Sequence, residues 1–589
     1  MSEKKKSFDS QVLWRILKLG FPYPVLYGVC LVLVLVMSPL GSFRPLLIQR
    51  MIDQHVMTND GPGMLRMTLL IFALLIVEVF LKYVFNYSTS RLAQNVVKDL
   101  RNRVFQKILS LKLQYFDKTP IGNLNTRTIS DIETINSVFS QGAITILADL
   151  ISIIAVLVIM FTNSYRLTLI CLLTMPLMIF STYVFKEKVK ESFQRVRTQI
   201  ANMNAYLQER ISGMKIVHLF NAQTQEWDNF AKINKSYNKA NIDSILYYSI
   251  FFPVVEIISA MTLGLMVWWG ARGVVDESIS VGALIAFPEF VAMLFRPMRM
   301  LADKFNSLQM GMVASERVFA LLDDQDDNEP QGAKTITDTL DHIEFQNVEF
   351  SYNDQNKVLK GINLELKPNT SLAIVGSTGS GKSSIINVLM RFYPIQAGDI
   401  LCNGISINEL DPHDLRSKFS LVLQDVFLFS GSIFENIRMM DSRITLSDVQ
   451  RAAKDLGLHE FIETLPNGYQ FEVMERGNNL SMGQRQFIAF IRAMVFMPDI
   501  LILDEATSSI DNESEQAIQK AIEKLLDNRT SIIIAHRLST IRRADQIIVL
   551  QEGEILEQGS HDELMAMELG HYREMIEKQS SDALNPILL

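Results

Sequence analysis

The sequence predicts an α-helical polytopic membrane domain followed by an α/β domain built on a phosphate-binding loop. Long apolar stretches crowd the first half of the 589-residue chain, and no such stretch follows residue 341. A Gly/Ser-rich loop ending in Gly381-Lys382-Ser383 follows a β-rich run in the second half. Hydrophobic residues make up 48% and charged residues 20%, too many charges for a chain lying wholly in lipid, so membrane and soluble parts must share it.

A hydrocarbon core of about 30 Å needs about 20 apolar helical residues to cross it. Six stretches qualify: 24–48, 64–87, 141–162, 165–185, 245–270 and 279–300. Ser38-Pro39 and Pro253 interrupt two of them, which a helix tolerates when its neighbours re-satisfy the backbone. Lys4, Lys5 and Lys6 superficially resemble the start of a signal peptide. The run from Val25 to Ile48 is too long for one and has no small-residue cleavage pattern, so it reads as a retained first span.

The intervals after the second and fourth spans are long and basic. They carry Arg91, Lys98, Arg101, Arg103 and Lys107, then Lys186, Lys188, Lys190, Arg195 and Arg197. The positive-inside rule places both in the cytoplasm, together with the N-terminus and everything after Arg296, as expected of a multi-pass protein of the cytoplasmic (inner) membrane. Val97, Leu100, Val104, Ile108 and Leu111 recur at helical spacing, so the spanning helices should continue beyond the bilayer.

Ionisable residues are costly in lipid and usually face an aqueous path or a partner. Glu78, Glu256 and Glu289 lie within or near spans two, five and six. Glu78 and Lys82, four residues apart, can neutralise each other, while Arg44 and Arg296 can snorkel or meet lipid headgroups. Carboxylates converging on a cavity would favour cationic amphipathic cargo. Met261, Met266, Met293, Met298 and Met300 supply adaptable apolar walls without identifying a substrate.

The membrane domain is expected over 1–322. The acidic, Pro- and Gly-punctuated stretch 323–340 reads as a linker, the α/β domain spans 341–575, and 576–589 is a C-terminal tail. Runs such as SLAIVG, FSLVLQ, ILILD and SIIIAH alternate with helical segments, which predicts a largely parallel sheet.

SLAIVG leads directly into Gly376-Ser377-Thr378-Gly379-Ser380-Gly381-Lys382-Ser383-Ser384 and then an apolar helix. Glycines let backbone N–H groups wrap a phosphate chain, the helix N-terminus favours its charge, Lys382 reaches the terminal phosphates and Ser383 can hold Mg²⁺. Four apolar residues, Ile500 to Leu503, precede Asp504-Glu505. Delivered to a strand end, Asp504 can assist the Mg²⁺ shell and Glu505 can polarise an attacking water.

Formal net charge is −8, so the chain lacks the basic field of a nucleic-acid binder. Three scattered cysteines suggest neither a disulfide framework nor a metal cluster.

Between these motifs lies Asn479-Leu480-Ser481-Met482-Gly483-Gln484-Arg485-Gln486, which resembles the signature of ATP-binding-cassette (ABC) proteins. Tyr352, Gln424, the Ser508–Asp511 segment and His536 match other family motifs in order. In the membrane half, Tyr115–Gly122 with Asn125, Arg127 and Asp131, then Gln208–Gly213 with Val217 and Phe220, resemble the two cytoplasmic loops of exporters that fuse membrane and motor domains. The resemblance covers nearly the whole chain and implies an α/β P-loop ABC ATPase domain that hydrolyses MgATP. It implies that Tyr352 stacks on adenine, that Gln424 senses Mg²⁺, and that His536 contacts the γ-phosphate and orients the water. Ser481, Gly483 and Gln484 would serve nucleotide held by an opposing chain, and each loop would seat a short coupling helix on a cassette.

The implied function is ATP-driven export of a drug-like or lipid amphipath by half of a dimer in contact with membrane lipid. Alternatives are a homodimeric lipid flippase, a peptide exporter and, less favoured, a fused importer. Two departures stand out: Met482 replaces a glycine of the family pattern, and Phe487 follows where a basic residue is common. An altered signature beside an intact Glu505 favours a heterodimer over a homodimer.

Overall fold

The computed structural model describes residues 10–584 except 326, 330–331, 354–355, 505–511, 528 and 536–537, and omits side chains at 141, 186, 190, 298–299, 301–302, 306, 512–514, 538–539 and 579–584. Two compact units result: Met1–Ser110 with Thr119–Asp326, and Leu111–Lys118 with Asp327–Leu589. The short segment Leu111–Lys118 thus groups with the second unit, although it lies among the spans in sequence.

In the first unit, five helical stretches among the described residues are long and apolar enough to cross a membrane: Pro24–Val56, Gly61–Leu109, Ile121–Asn163, Tyr165–Ser212 and Gln223–Val275. The sixth expected stretch, 279–300, forms the first part of the helix Val281–Asp323. Gly61–Leu109 has 49 residues and is therefore about 70 Å long, far beyond the hydrocarbon thickness. Val97, Leu100 and Val104 are buried on its extension, where helical periodicity placed an apolar stripe. Pro253 sits inside a continuous 53-residue helix. The unit's core includes Met160, Leu167, Cys171, Phe251, Phe287 and Phe290, with Phe185 stacked on Phe251 at 3.8 Å.

Asp131 is 5% exposed at the side chain, and Arg317 closes on it through two nitrogens at 2.9 and 2.5 Å. This loop residue, quoted above as a family mark, therefore anchors the end of the last long helix.

In the second unit a six-stranded sheet runs in the order Glu554–Gly559, Gln546–Gln551, Ser371–Val375, Thr530–Ile534, Ile500–Asp504, Phe419–Val422. All neighbours are parallel except the first pair. Alternate residues feed opposite faces: Ala373, Val375, Leu501, Leu503 and Ile533 enter one core, and Leu372, Ile374, Ile500, Ile502 and Ile532 the other. Burial on both faces explains why these strands read as continuous apolar runs. A second, antiparallel sheet joins Leu359–Leu366, Ile343–Phe350, Ala397–Cys402 and Ile405–Ser406.

The expected linker, 323–340, is tethered over its second half. Lys334 N donates to Glu409 O at 3.0 Å, Ile336 N to Asp414 at 2.6 Å and Leu340 N to Asp499 at 2.9 Å. Its polar composition reflects these partners as well as exposure. The three cysteines are buried and free, and burial pushes the Cys402 thiol up to about 12.

Candidate functional site

Four strands end together at one edge of the parallel sheet. Ile534 pairs with Ile374 on one side and with Asp504 on the other, and Val422 pairs with Leu503. The C-terminal ends that lead to Gly376, Asp504, His536 and Gln424 are therefore level, at the edge where open α/β sheets bind ligands. Glu505, the 508–511 segment and His536 lie outside the described residues.

The phosphate loop owes its shape to glycine at two positions. Gly376 has φ +156° and a Cβ there would lie 2.2 Å from Leu550 O, while Gly381 has φ +108° and forms the N-cap of the helix Lys382–Leu389. No side chain caps that helix; Ser384 N donates to Gly381 O at 3.0 Å, which leaves the Lys382 and Ser383 N–H groups at its start for an anion. Lys382 is 7% exposed and turns into the loop, where Nζ donates to Gly376 O at 2.8 Å and Ser377 O at 2.9 Å. Burial lowers its pKa, and the nearby Asp504 carboxylate opposes that shift. Ser380 Oγ is buried with no hydrogen-bond partner among the described residues, whereas Ser377, Thr378, Gly379 and Ser383 are exposed.

Tyr352 is anchored beside this helix. Its hydroxyl lies 3.2 Å from Ser384 Oγ and accepts from Asn387 Nδ2 at 2.9 Å. The ring meets Phe350 and Tyr393 edge-on, at 4.7 and 5.0 Å. Tyr393 donates to Asp117, which belongs to the segment Leu111–Lys118. Burial and that bond push the Tyr393 hydroxyl well above the phenol range, so it remains a donor at physiological pH. Sequence reading quoted Asp117 only within a loop motif and missed Tyr393; the aromatic just after the loop's helix was the available signal.

The signature forms another helix start. Ser481 is the N-cap of Met482–Val495 in a capping box: its Oγ accepts from Gln484 N at 3.2 Å and Ser481 N donates to Gln484 Oε1 at 2.9 Å. Ser481 is exposed, Met482 is partly buried and Gly483 buried. Phe487 is 5% exposed and packs edge-on against Phe461 at 5.1 Å. It is a core residue here, which accounts for the missing basic side chain. Gln424 is exposed just beyond its strand.

The two loops quoted from the membrane half each contain a short helix, Leu113–Lys118 and Met214–Leu219. At the second, Leu219 and Phe220 are 71% and 72% exposed.

Comparison with known proteins agrees with this geometry. The ABC transporter transmembrane region matches residues 25–298, and the ABC transporter model matches 359–508. The chain is 35% identical to the uncharacterized ABC transporter ATP-binding protein YknV of Bacillus subtilis, over 98% of this chain and 96% of that protein. It is 36% identical to the probable multidrug resistance ABC transporter ATP-binding/permease protein YheH of the same organism, over 88% and 77%. An ATP-dependent lipid A-core flippase of Syntrophus aciditrophicus is 31% identical over 95% and 93%. A bacterial Atm1-family ABC exporter with ATP bound shares the fold at a TM-score of 0.78, with 26% identity over 97% of this chain and 99% of that one. A membrane region and a nucleotide-binding ATPase are thus fused in one polypeptide, and the chain belongs to the ABC transporter family as an exporter-type transport ATPase.

Proposed function

We propose that this chain is half of a dimeric exporter that couples ATP hydrolysis to movement of a drug-like or lipid amphipath across the cytoplasmic membrane. In this reading its N-terminus and ATPase unit lie in the cytoplasm. The carrying observation is the levelling of the phosphate loop, Asp504 and the strand leading to Gln424 at one sheet edge, on a chain that also holds membrane-length helices.

Each residue has an assignable role. The loop from Gly376 to Gly381 wraps the phosphates with backbone N–H groups, Lys382 neutralises the terminal phosphates, and Ser384 helps fix Tyr352 for adenine stacking. Glu505 polarises the attacking water and His536 orients it. Ser481, Gly483 and Gln484 face nucleotide held by the opposing chain. Mg²⁺ bound with the nucleotide neutralises phosphate charge; Ser383, Asp504 and Gln424 offer the hard oxygen donors that suit it.

The heterodimer is the favoured assembly. Met482 occupies the first helical position, beside the exposed Ser481, and a long side chain there crowds any phosphate brought to this helix start. That cost is tolerable where the opposing site is already weak. A homodimeric lipid flippase is the second reading, supported by the flippase relatives.

The test is ATPase activity and ATP-dependent dye accumulation in inside-out vesicles, for the chain expressed alone and with a second half-transporter from the neighbouring coding sequence. The heterodimer reading expects both activities only on co-expression. A fully active chain alone would replace it with the homodimer, and no ATP-dependent accumulation in either would overturn export.

A further inference from the structure

Tyr352 lies two residues beyond the end of the strand Ile343–Phe350, past the ladder that fixes the backbone before it. Gln396 secures the preceding residue, donating through Nε2 to Ser351 O at 3.0 Å and to Ser351 Oγ at 2.7 Å. The ring itself must be held by its own side-chain contacts. Those with Phe350 and Tyr393 are edge-on, so no described ring occupies the place of a stacked base.

The hydroxyl end is tied to a single helix. Asn387 Nδ2 donates to Tyr352 OH at 2.9 Å, which leaves the Tyr352 proton free to reach Ser384 Oγ at 3.2 Å. Ser384 and Asn387 are three residues apart and therefore share a face of Lys382–Leu389, the helix that starts at the phosphate loop. Asn is a weak helix former because its amide competes for backbone groups, so a helix of eight residues gains nothing from one in its interior. Here the amide nitrogen is turned to Tyr352, its one hydrogen-bond partner among the described residues.

We propose that Asn387 is a positioning residue for nucleotide binding, fixing the Tyr352 ring in the attitude from which it stacks on the base. The proposal rests on the stacking role assigned to Tyr352 and names the residue that sets it up. A ring held by its edges and by its hydroxyl has lost its freedom before the nucleotide arrives, so binding does not have to order it. The helix whose start meets the phosphates then also carries the tie that aims the base platform, and one rigid element references both ends of the nucleotide. A role in fold stability alone fits less well, because Asn387 is only partly buried and Ala would serve the helix better.

The test is equilibrium binding of ATP to the full-length chain in the dimer it forms, with KM and kcat for its hydrolysis. Asn387→Ala is expected to weaken ATP binding about three- to tenfold and to raise KM with kcat retained. Tyr352→Phe, which keeps the stacking ring and removes only the tied hydroxyl, should produce a similar loss. The double variant should then be no worse than either single one, because both changes remove the same tie. A defect of the helix alone would instead persist when Asn387→Ala is added to Tyr352→Phe. Tyr352→Ala removes the ring and should lose more than any of these. Wild-type affinity in Asn387→Ala or in Tyr352→Phe, or additive losses in the double variant, would overturn the positioning role while a weakened Tyr352→Ala left stacking intact. Wild-type affinity in Tyr352→Ala would instead overturn the stacking assignment itself.

Discussion

Two helix starts in the ATPase unit solve the same electrostatic problem differently. At Lys382–Leu389 the N-cap is a left-handed glycine and no side chain touches the first-turn N–H groups. At Met482–Val495 the N-cap is Ser481, locked to Gln484 by reciprocal hydrogen bonds. The first start leaves the Lys382 and Ser383 N–H groups available and adds a buried ammonium. The second spends its cap on the Gln484 N–H, but the Ser481 hydroxyl only accepts in that bond, so its own proton remains free to donate outward. The first has the geometry to enclose an anion, the second to present a single donor.

The largest expected effect separates grip from chemistry. Glu505→Gln removes the carboxylate assigned to the water while leaving both helix starts intact, and should lower ATP turnover about 10² to 10⁴-fold with nucleotide binding retained. Phosphate-release kinetics beside a nucleotide-binding measurement would check it, and turnover near wild type would remove Glu505 from that role.

Lys382→Ala attacks the enclosing start. Loss of a charge-assisted contact of about 1.5 to 3 kcal/mol predicts roughly 10- to 150-fold weaker binding of a labelled ATP analogue. Undiminished affinity would leave the open backbone donors as the whole grip and make the ammonium redundant.

Ser481→Ala attacks the presenting start and should behave oppositely. The chain's own affinity for ATP should hold, while removal of the cap costs about 1 kcal/mol of stability, seen as a lowered melting temperature. A binding defect as large as that of Lys382→Ala would erase the distinction between the two starts.

Met482→Gly should have the smallest effect. In the favoured heterodimer it faces only the weak opposing site, so steady-state ATPase should change less than about twofold, whereas a clear rise would point to a self-dimer with two altered sites.

Much of this organisation was legible in the chain because local patterns carry it. Apolar runs announce helices and two-sided strands, and the loop from Gly376 to Ser384 declares its strand–loop–helix context within a few residues. What escaped depends on long-range pairing. The spacing of Glu78 and Lys82 invites a helical ion pair, yet Glu78 faces Arg44, which is bound to a residue 245 positions away in sequence. Phe487 departs from the basic residue common at its place because it packs against Phe461, which comes from a distant segment. The stretch after Asp323 looked free because its anchors, Glu409, Asp414 and Asp499, belong to distant segments.

The segment Leu111–Lys118 is tied through two rings to the start of the helix Lys382–Leu389. Asp117 holds the Tyr393 hydroxyl, Tyr393 stands edge-on to Tyr352, and Tyr352 is pinned to Ser384 at the start of the phosphate-loop helix. Whatever pulls Asp117 away must loosen the ring that steadies Tyr352. Thermodynamic reciprocity then requires the converse: if that loosening weakens nucleotide binding by some factor, nucleotide strengthens the hold on Asp117 by the same factor.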